Sequence, residues 1–162
     1  TVPVALADLL RQAVADAALA AQARRIDLGL TQADELQIQG QPQALCILLR
    51  NLLDNAIKYT PEDGQIDAAL RRDGAHAVLT VEDSGPGIPA AERERVLQRF
   101  VRLPDAGGGA ATSCSGLGLA IVQAVAQLHG AALALDTAPV LGGLRVRVRF
   151  ALPRSDAVLS TD

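Results

Sequence analysis

The chain's clearest structural signal is residues 42–60, which read PQALCILLRNLLDNAIKYT. Apolar residues recur there every three or four positions, so they share one face of an α-helix. Pro42 is favoured in the first turn of a helix, and Pro61 cannot continue one. The stretch therefore predicts one strong helix between the two prolines, and the other elements are placed relative to it.

The same periodicity predicts two further long helices, at residues 6–23 and 117–128, and a short one at 90–99. Alternating or buried apolar runs predict strands. These are 25–30, 36–38, 65–71, 77–81, 131–136 and 144–151. Asp73–Gly74 predicts a hairpin turn. The pattern favours an α/β, two-layer sandwich, in which helices pack on one face of a mixed, mostly antiparallel sheet.

Composition excludes several classes of protein. The 162 residues suit one compact domain, and the net charge of −3 provides no basic surface for nucleic acid. No apolar run is long enough to cross a bilayer, so no direct membrane contact is expected. Cys46 and Cys114 lack metal-ligand spacing and are predicted to remain thiols.

A polar stripe interrupts the apolar pattern of the predicted helix 42–60. Asn51, Asn55 and Lys58 stand at i, i+4 and i+7, which places them on one helix face. Amide oxygens can ligate a hard cation such as Mg²⁺, and an ammonium group neutralises phosphate. The stripe is equally compatible with an ordinary solvated helix face.

A second candidate is Asp83–Ser84–Gly85–Pro86–Gly87, which directly follows a predicted strand. Glycines let the backbone approach a ligand closely. An ionised Asp83 can accept a hydrogen bond from the exocyclic amine of adenine. Taken alone, the pattern fits an ordinary turn that begins with aspartate at least as well.

The third candidate is Ser115–Gly116–Leu117–Gly118–Leu119, at the entry to the predicted helix 117–128. Glycines there would expose backbone N–H groups at the positive end of a helix dipole, which suits an anion. A lone Gly-x-Gly more often reflects packing. No Walker-type lysine is present, and no strand leads in as a Rossmann turn requires. The preceding segment, 104–115, is predicted to be irregular and mobile because Gly, Ala, Ser and Thr dominate it.

The order and spacing of these motifs, with Phe100 between the second and third, carry a family resemblance. They resemble the N, G1, F and G2 boxes of the ATP-binding domain of sensor histidine kinases, a branch of the superfamily that includes gyrase, Hsp90 and MutL. The resemblance runs to Phe150. It implies a Bergerat-type fold, ATP and Mg²⁺ as cofactors, and transfer of phosphate to a histidine.

The resemblance also implies a role for each matching position. Asn55 would ligate Mg²⁺, and with Asn51 and Lys58 it would form the catalytic group around the phosphates. Asp83 would read the adenine amine, while Tyr59 would pack beside adenine and ribose. The other positions implied to shape the nucleotide site or its lid at 101–115 are Gly85, Gly87, Ile88, Phe100, Arg102, Ser115, Gly116, Leu117, Gly118 and Leu119.

One position helps to choose a branch of the superfamily. Asn51 stands where the hydrolytic relatives resembling gyrase have a glutamate, and an amide cannot take a proton from water. Poor hydrolysis is therefore expected. Neither His76 nor His129 has the flanking residues of the family's phosphoacceptor box, so both are interpreted as structural.

The implied domain organisation extends beyond the nucleotide site. Residues 1–24 would be a linking helix from a dimerisation and phosphoacceptor domain, 25–152 the ATP-binding domain, and 153–162 a flexible tail. That separate domain and a response regulator are the implied partners, in the cytoplasmic part of an inner-membrane-anchored bacterial sensor. The alternatives are a superfamily ATPase that drives dimer clamping, an anti-sigma serine kinase, and a nucleotide-binding module without catalysis.

Overall fold

The computed structural model describes residues 1–87 and 110–153, with secondary structure alone for 110–117. The described residues form three helices and seven strands. The helices are α1 Leu6–Ala23, α2 Pro42–Tyr59 and α3 Ala110–Leu128. The strands are β1 Val2–Ala5, β2 Asp27–Ala33, β3 Gln37–Gly40, β4 Gln65–Asp73, β5 His76–Asp83, β6 Ala132–Thr137 and β7 Leu144–Ala151.

Five strands form one mixed sheet in the order β2-β4-β5-β7-β6. β2 runs parallel to β4, and the other pairs are antiparallel. Leu70, Leu79 and Val148 lie opposite one another in register and are fully buried. α1, α2 and α3 all contact strands of this sheet. Because alternate residues of a strand face opposite sides, this buried row defines the face that the helices cover. The predicted two-layer sandwich is confirmed.

The start of the chain differs from the predicted linking helix 1–24. β1 pairs with β3 as a separate two-stranded ribbon, and Val4 is buried. Leu6 and Leu10 of α1 are fully buried and belong to the main core. α1 thus buries its apolar face against α2 and the sheet, and its role as the link to another domain stays a prediction. A phosphoacceptor domain elsewhere in the protein stays a prediction.

α3 begins at Ala110, seven residues before the predicted start. The prediction of irregular structure across 104–115 is therefore wrong for 110–115. Alanine favours helix strongly, and each glycine costs only about 1 kcal/mol relative to alanine, which packing can outweigh. α3 packs extensively on α2. Residues 88–109, which include the predicted helix 90–99 and most of the predicted lid, lie outside the described part, as does the tail from 154.

Two smaller expectations can be compared with the structure. Cys46 is a free thiol, as predicted, and is exposed, while the side chain of Cys114 lies outside the described part. Among the described residues, no helix is long and apolar enough to span a membrane.

Candidate functional site

The polar stripe of α2 lies along one edge of its buried face. Leu48, Leu52 and Ala56 are buried, whereas Asn51 and Asn55 are only partly buried. Periodicity alone explains this division, since the apolar positions of the helix face the core. The Asn51 amide nitrogen donates to the Ile47 carbonyl oxygen at 2.8 Å, and no donor from the described residues reaches its Oδ1.

Both amide oxygens of the stripe face one point on α3. A Cβ placed on Gly118 would lie 3.6 Å from Asn55 Oδ1 and 3.8 Å from Asn51 Oδ1. Glycine keeps space open beside the two oxygens. The structure thus brings the first and third sequence motifs together. No cluster of His, Cys, Asp and Glu that could hold a metal occurs among the described residues. A hard cation here would rely on amide oxygen and on oxygens of its ligand.

Asp83 ends β5 and is buried, with 6% of its surface exposed. Its Oδ1 accepts two backbone N–H groups, from Gly85 at 2.9 Å and from Leu144 at 3.1 Å. Within the described ranges, no hydrogen bond engages Oδ2. One carboxylate oxygen is therefore held by the protein, and the other remains able to accept a hydrogen bond from a ligand.

The environment of Asp83 also alters its ionisation. Burial raises the pKa of the Asp83 carboxyl above its ordinary value of 3.8, because burial removes the water that stabilises the charged form. The N–H groups of Leu144 and Gly85 oppose the rise by donating to the carboxylate. A buried carboxyl whose pKa is raised, at the end of a central strand, is typical of a functional site.

The bend after Asp83 lies against the C-terminal end of α2. A Cβ on Gly85 would come within 2.8 Å of the Tyr59 carbonyl oxygen, so the two backbones are in close contact. Ser84 fixes the bend from the other side, since its N–H donates to Gln65 O at 3.1 Å and its Oγ accepts from Gln65 N at 2.9 Å. α2 therefore contacts the second motif at its C-terminus and the third motif at Asn51 and Asn55.

Gly143 is a part of this site that the sequence interpretation missed. Its N–H donates to the Asp83 carbonyl oxygen at 3.0 Å. A Cβ on Gly143 would come within 2.6 Å of Gly85 N and closer still to Asp83 Oδ1. The double glycine at 142–143 is visible in the sequence, but there it indicates only a turn between two strands. Its contact with Asp83 depends on the pairing of β5 with β7.

Comparison with known proteins identifies the family. The model of the family described as "Histidine kinase-, DNA gyrase B-, and HSP90-like ATPase" matches residues 40–155. The chain belongs to this ATPase family. It is 39% identical to the sensor protein QseC of Escherichia coli K12 over 148 residues, which make up 91% of this chain and 31% of QseC.

Solved structures of the family share the fold. The mycobacterial sensor histidine kinase MprB superposes with a TM-score of 0.75 at 32% identity, covering 93% of this chain and 97% of that one. The ATP-binding domain of PrrB from Mycobacterium tuberculosis gives a TM-score of 0.74 at 32% identity, covering 94% and 97%. The predicted resemblance to sensor histidine kinases is confirmed, and the family fits ATP as the nucleotide.

The remaining predicted positions of this ATP-binding domain fall into four groups. Gly87 has φ of +73°, a conformation that favours glycine, and it lies beside Gly143. Leu119 is buried, so its side chain belongs to the interior. Lys58 and Tyr59 are exposed at the end of α2. Outside the described structure, or described only as part of α3, are Ile88, Phe100, Arg102, Ser115, Gly116 and Leu117.

The predicted position of Gly116 and Gly118 at a helix start is corrected, while their contact with the triphosphate stays a prediction. Gly116 and Gly118 lie inside α3 rather than before it. Beyond the first turn of a helix, each N–H bonds to the carbonyl four residues earlier and is no longer free for an anion. The contribution of Gly118 visible in the structure is its position beside the amide oxygens of Asn51 and Asn55.

His129 has a structural role, as the sequence interpretation expected. Its Nε2 accepts from Gln41 N at 3.1 Å, and its Nδ1 lies 2.8 Å from the Val125 carbonyl oxygen. The neutral tautomer with the proton on Nδ1 satisfies both contacts. Its ring also meets Phe150 edge to face, with centroids 6.3 Å apart. His129 thus joins the end of α3 to the start of α2.

A cavity of about 670 Å³ lies between α1 and α2. Its lining includes Leu9, Ala13, Cys46, Ile47 and Asp54. None of the candidate nucleotide residues lines it, so it is separate from the site built around Asn55 and Asp83.

Proposed function

We propose that the chain is the ATP-binding catalytic domain of a two-component sensor histidine kinase. It would transfer the γ-phosphate of Mg·ATP to a histidine on a separate helical domain, for relay to a response regulator. One observation carries the proposal. Helix α2 presents two amide oxygens to Gly118 and, at its C-terminus, meets the bend that holds Asp83. A phosphate end and an adenine end of one nucleotide can therefore lie along the same helix.

Each residue of the proposed site has a chemical task. The free Oδ2 of Asp83 accepts the adenine amine, and the half-exposed ring of Tyr59 offers a surface for base or ribose. The Lys58 ammonium contacts phosphate. Asn55 is the proposed Mg²⁺ ligand, with Asn51 beside it, and Mg²⁺ would neutralise the charge on the phosphate oxygens.

The same residues account for transfer to histidine rather than to water. Phosphoryl transfer depends mainly on positioning and charge neutralisation. Water needs a base to become an effective nucleophile, and Asn51 offers an amide. A neutral imidazole needs no such base, so the γ-phosphate would persist until the histidine domain docks. Rapid intrinsic hydrolysis would instead favour a clamping ATPase, and phosphorylation of serine on a partner would favour an anti-sigma kinase.

The wider setting of the domain follows from the same proposal. The relatives' names describe sensors, and the chain spans 31% of the length of QseC. The proposed partners are therefore a dimerisation and histidine phosphoacceptor domain of the same protein and a response regulator. The proposed location is the cytoplasmic part of a membrane-anchored bacterial sensor.

The direct test combines binding and transfer. An ATP analogue is titrated with and without Mg²⁺, and a histidine phosphoacceptor domain is then added with radiolabelled ATP. Magnesium-dependent binding, slow hydrolysis and acid-labile phosphate on the added domain are expected. Failure to bind ATP, or binding without transfer to any histidine domain, would contradict the proposal.

Asp83→Asn should remove the preference for adenine. Asp83 Oδ1 already accepts two N–H groups, so the asparagine would place its oxygen there and turn its NH₂ towards the ligand. Two donors would then face each other, and ATP affinity should fall roughly tenfold, as for loss of a hydrogen bond to a charged group. Parallel titrations with ATP and GTP analogues measure this preference. The matched control is Glu82→Gln, which removes the same charge one residue away.

ATP affinity should also decline as the solution is acidified. Because the pKa of free Asp83 is raised, its carboxyl takes up a proton at a higher pH than the ordinary 3.8. The protonated group presents a donor to the adenine amine, so affinity begins to fall as the pH decreases through that pKa. Titrations at stepped pH measure the decline. Asp83→Asn lacks the titrating carboxyl, so the pH dependence of its affinity reports protonation of the nucleotide itself. If affinity changed with pH in the same way for Asp83→Asn and for the unmodified chain, Asp83 would not be the cause of the decline.

A further inference from the structure

Arg24, immediately after α1, contacts the C-terminal end of the proposed nucleotide-binding helix. Its guanidinium donates to the Ile57 carbonyl oxygen and, at 3.1 Å, to the Lys58 carbonyl oxygen. The last carbonyls of a helix have no partner within that helix. A cation there also opposes the negative end of the helix dipole. A side chain from one element thus caps the helix of another.

The capped end of α2 is the end that carries the proposed contacts with adenine and phosphate. Lys58 and Tyr59 form its last two residues. The Tyr59 carbonyl oxygen abuts Gly85 in the bend that follows Asp83. A rotation of this last turn would move both side chains and the bend together.

The backbone around Arg24 is also tied to the turn after α2. The Asp63 N–H donates to the Arg24 carbonyl oxygen at 3.4 Å, and the Asp27 N–H donates to Gly64 O at 2.9 Å. The next residue, Gln65, forms the two hydrogen bonds with Ser84 that fix the bend after Asp83. Hydrogen bonds, together with the chain at residues 63–65, therefore connect the end of α1 to the adenine side of the site.

We propose that Arg24 is a positioning residue for nucleotide binding. It holds the last turn of α2 so that Lys58 and Tyr59 meet the nucleotide and the Asp83 bend stays beside them. Arg24 acts through the Ile57 and Lys58 carbonyls and does not itself contact the nucleotide. The inference rests on the proposed function, since it assigns Arg24 to the same ATP site.

The chain supplies a matched control in the next residue. Arg25 is exposed, and no side-chain hydrogen bond or ion pair of Arg25 occurs within residues 1–87 and 110–153. Arg25→Gln therefore removes the same charge from almost the same place without uncapping α2. Comparison with Arg24→Gln separates capping from a general electrostatic effect on an anionic ligand.

The chain also supplies a local spectroscopic probe. Tyr59 is its one tyrosine, and it has no tryptophan. Tyrosine emission from the folded protein therefore reports on the last turn of α2 alone. Arg24→Gln should change this emission and weaken binding of a non-hydrolysable ATP analogue roughly fivefold, a typical coupling effect for a residue outside the ligand contact. Arg25→Gln should leave both unchanged.

The outcomes distinguish this inference from the proposed function. All proteins are measured at a temperature where unfolding curves show them folded. If Arg24→Gln lowers only the thermal midpoint, with affinity and emission like those of Arg25→Gln, its role is structural and the inference is wrong. If the unmodified chain does not bind the analogue, the proposed function itself fails. Should Arg24→Gln not fold, Arg24→Lys keeps the charge on a side chain one bond shorter than the path to Nη1, which donates to both carbonyls, and it should change emission and affinity in the same direction.

Discussion

Asn55→Ala is expected to abolish the magnesium-dependent part of ATP binding and to lower phosphotransfer about 100-fold or more, as for loss of one preorganised polar group from an active site. The Asn55 and Asn51 oxygens face the same point on α3, beside Gly118. Asn55→Ala removes one of these two oxygens, and with it the proposed ligand of the cation that neutralises the phosphates. The measurement is titration of an ATP analogue with and without Mg²⁺, followed by transfer to a histidine domain.

Asp54→Ala is the control for this substitution. Asp54 is exposed and lines the separate cavity between α1 and α2. Asp54 is as large as Asn55 and lies on the same helix turn, but it faces away from the proposed site. Nucleotide binding and phosphotransfer should therefore be close to those of the unmodified chain. If Asn55→Ala bound Mg·ATP as tightly as Asp54→Ala, Asn55 would not be the metal ligand.

Gly143→Ala is expected to cause the largest loss of stability, about 3 kcal/mol, as for overpacking in a well-packed interior. The added methyl would meet Asp83 and Gly85 N, and most of these neighbours are backbone atoms that cannot turn aside. Any relaxation must move the Asp83 carboxylate away from Leu144 N, so ATP affinity should fall as well. Denaturant unfolding measures the first effect, and nucleotide titration of the folded fraction measures the second.

Gly29→Ala provides the matched comparison. A Cβ on Gly29 would meet no atom within 4 Å, and its φ is not in the left-handed region. It therefore reports the general effect of replacing a strand glycine by alanine, which should be small. Equal stability and equal ATP affinity for the two variants would show that Gly143 does not support Asp83.

Local patterns predicted most of the elements. The bounds of α1 and α2 follow from uninterrupted apolar spacing, with Pro42 and Pro61 marking the limits of α2. Strands β4 to β7 follow from alternation and from the turns between them. The four-residue strand β1 was missed, because so short a segment becomes a strand only through pairing with β3. The start of α3 was missed because its glycines suggested a loop, whereas packing on α2 sustains the helix.

The candidate site was predictable where one residue type carries the chemistry. The spacing of Asn51, Asn55 and Lys58 shows that they share a helix face, and Asp83 stands out at a strand end before glycines. The sequence could not show which carboxylate oxygen of Asp83 is left without a hydrogen bond from the described residues. Leu144 and Gly143 lie some sixty residues away, and they reach Asp83 only because β7 pairs with β5.

Helix periods, turn residues and the order of the motifs are local properties, and the amino-acid sequence alone sufficed for them and for the family they resemble. Contacts between segments far apart in the sequence could be identified only from the tertiary structure. These are Gly118 beside Asn55, the N–H of Leu144 on Asp83, and Arg24 on the end of α2. The physical reason is that such contacts depend on strand pairing and helix packing, in which many residues act together and no local pattern records the partner.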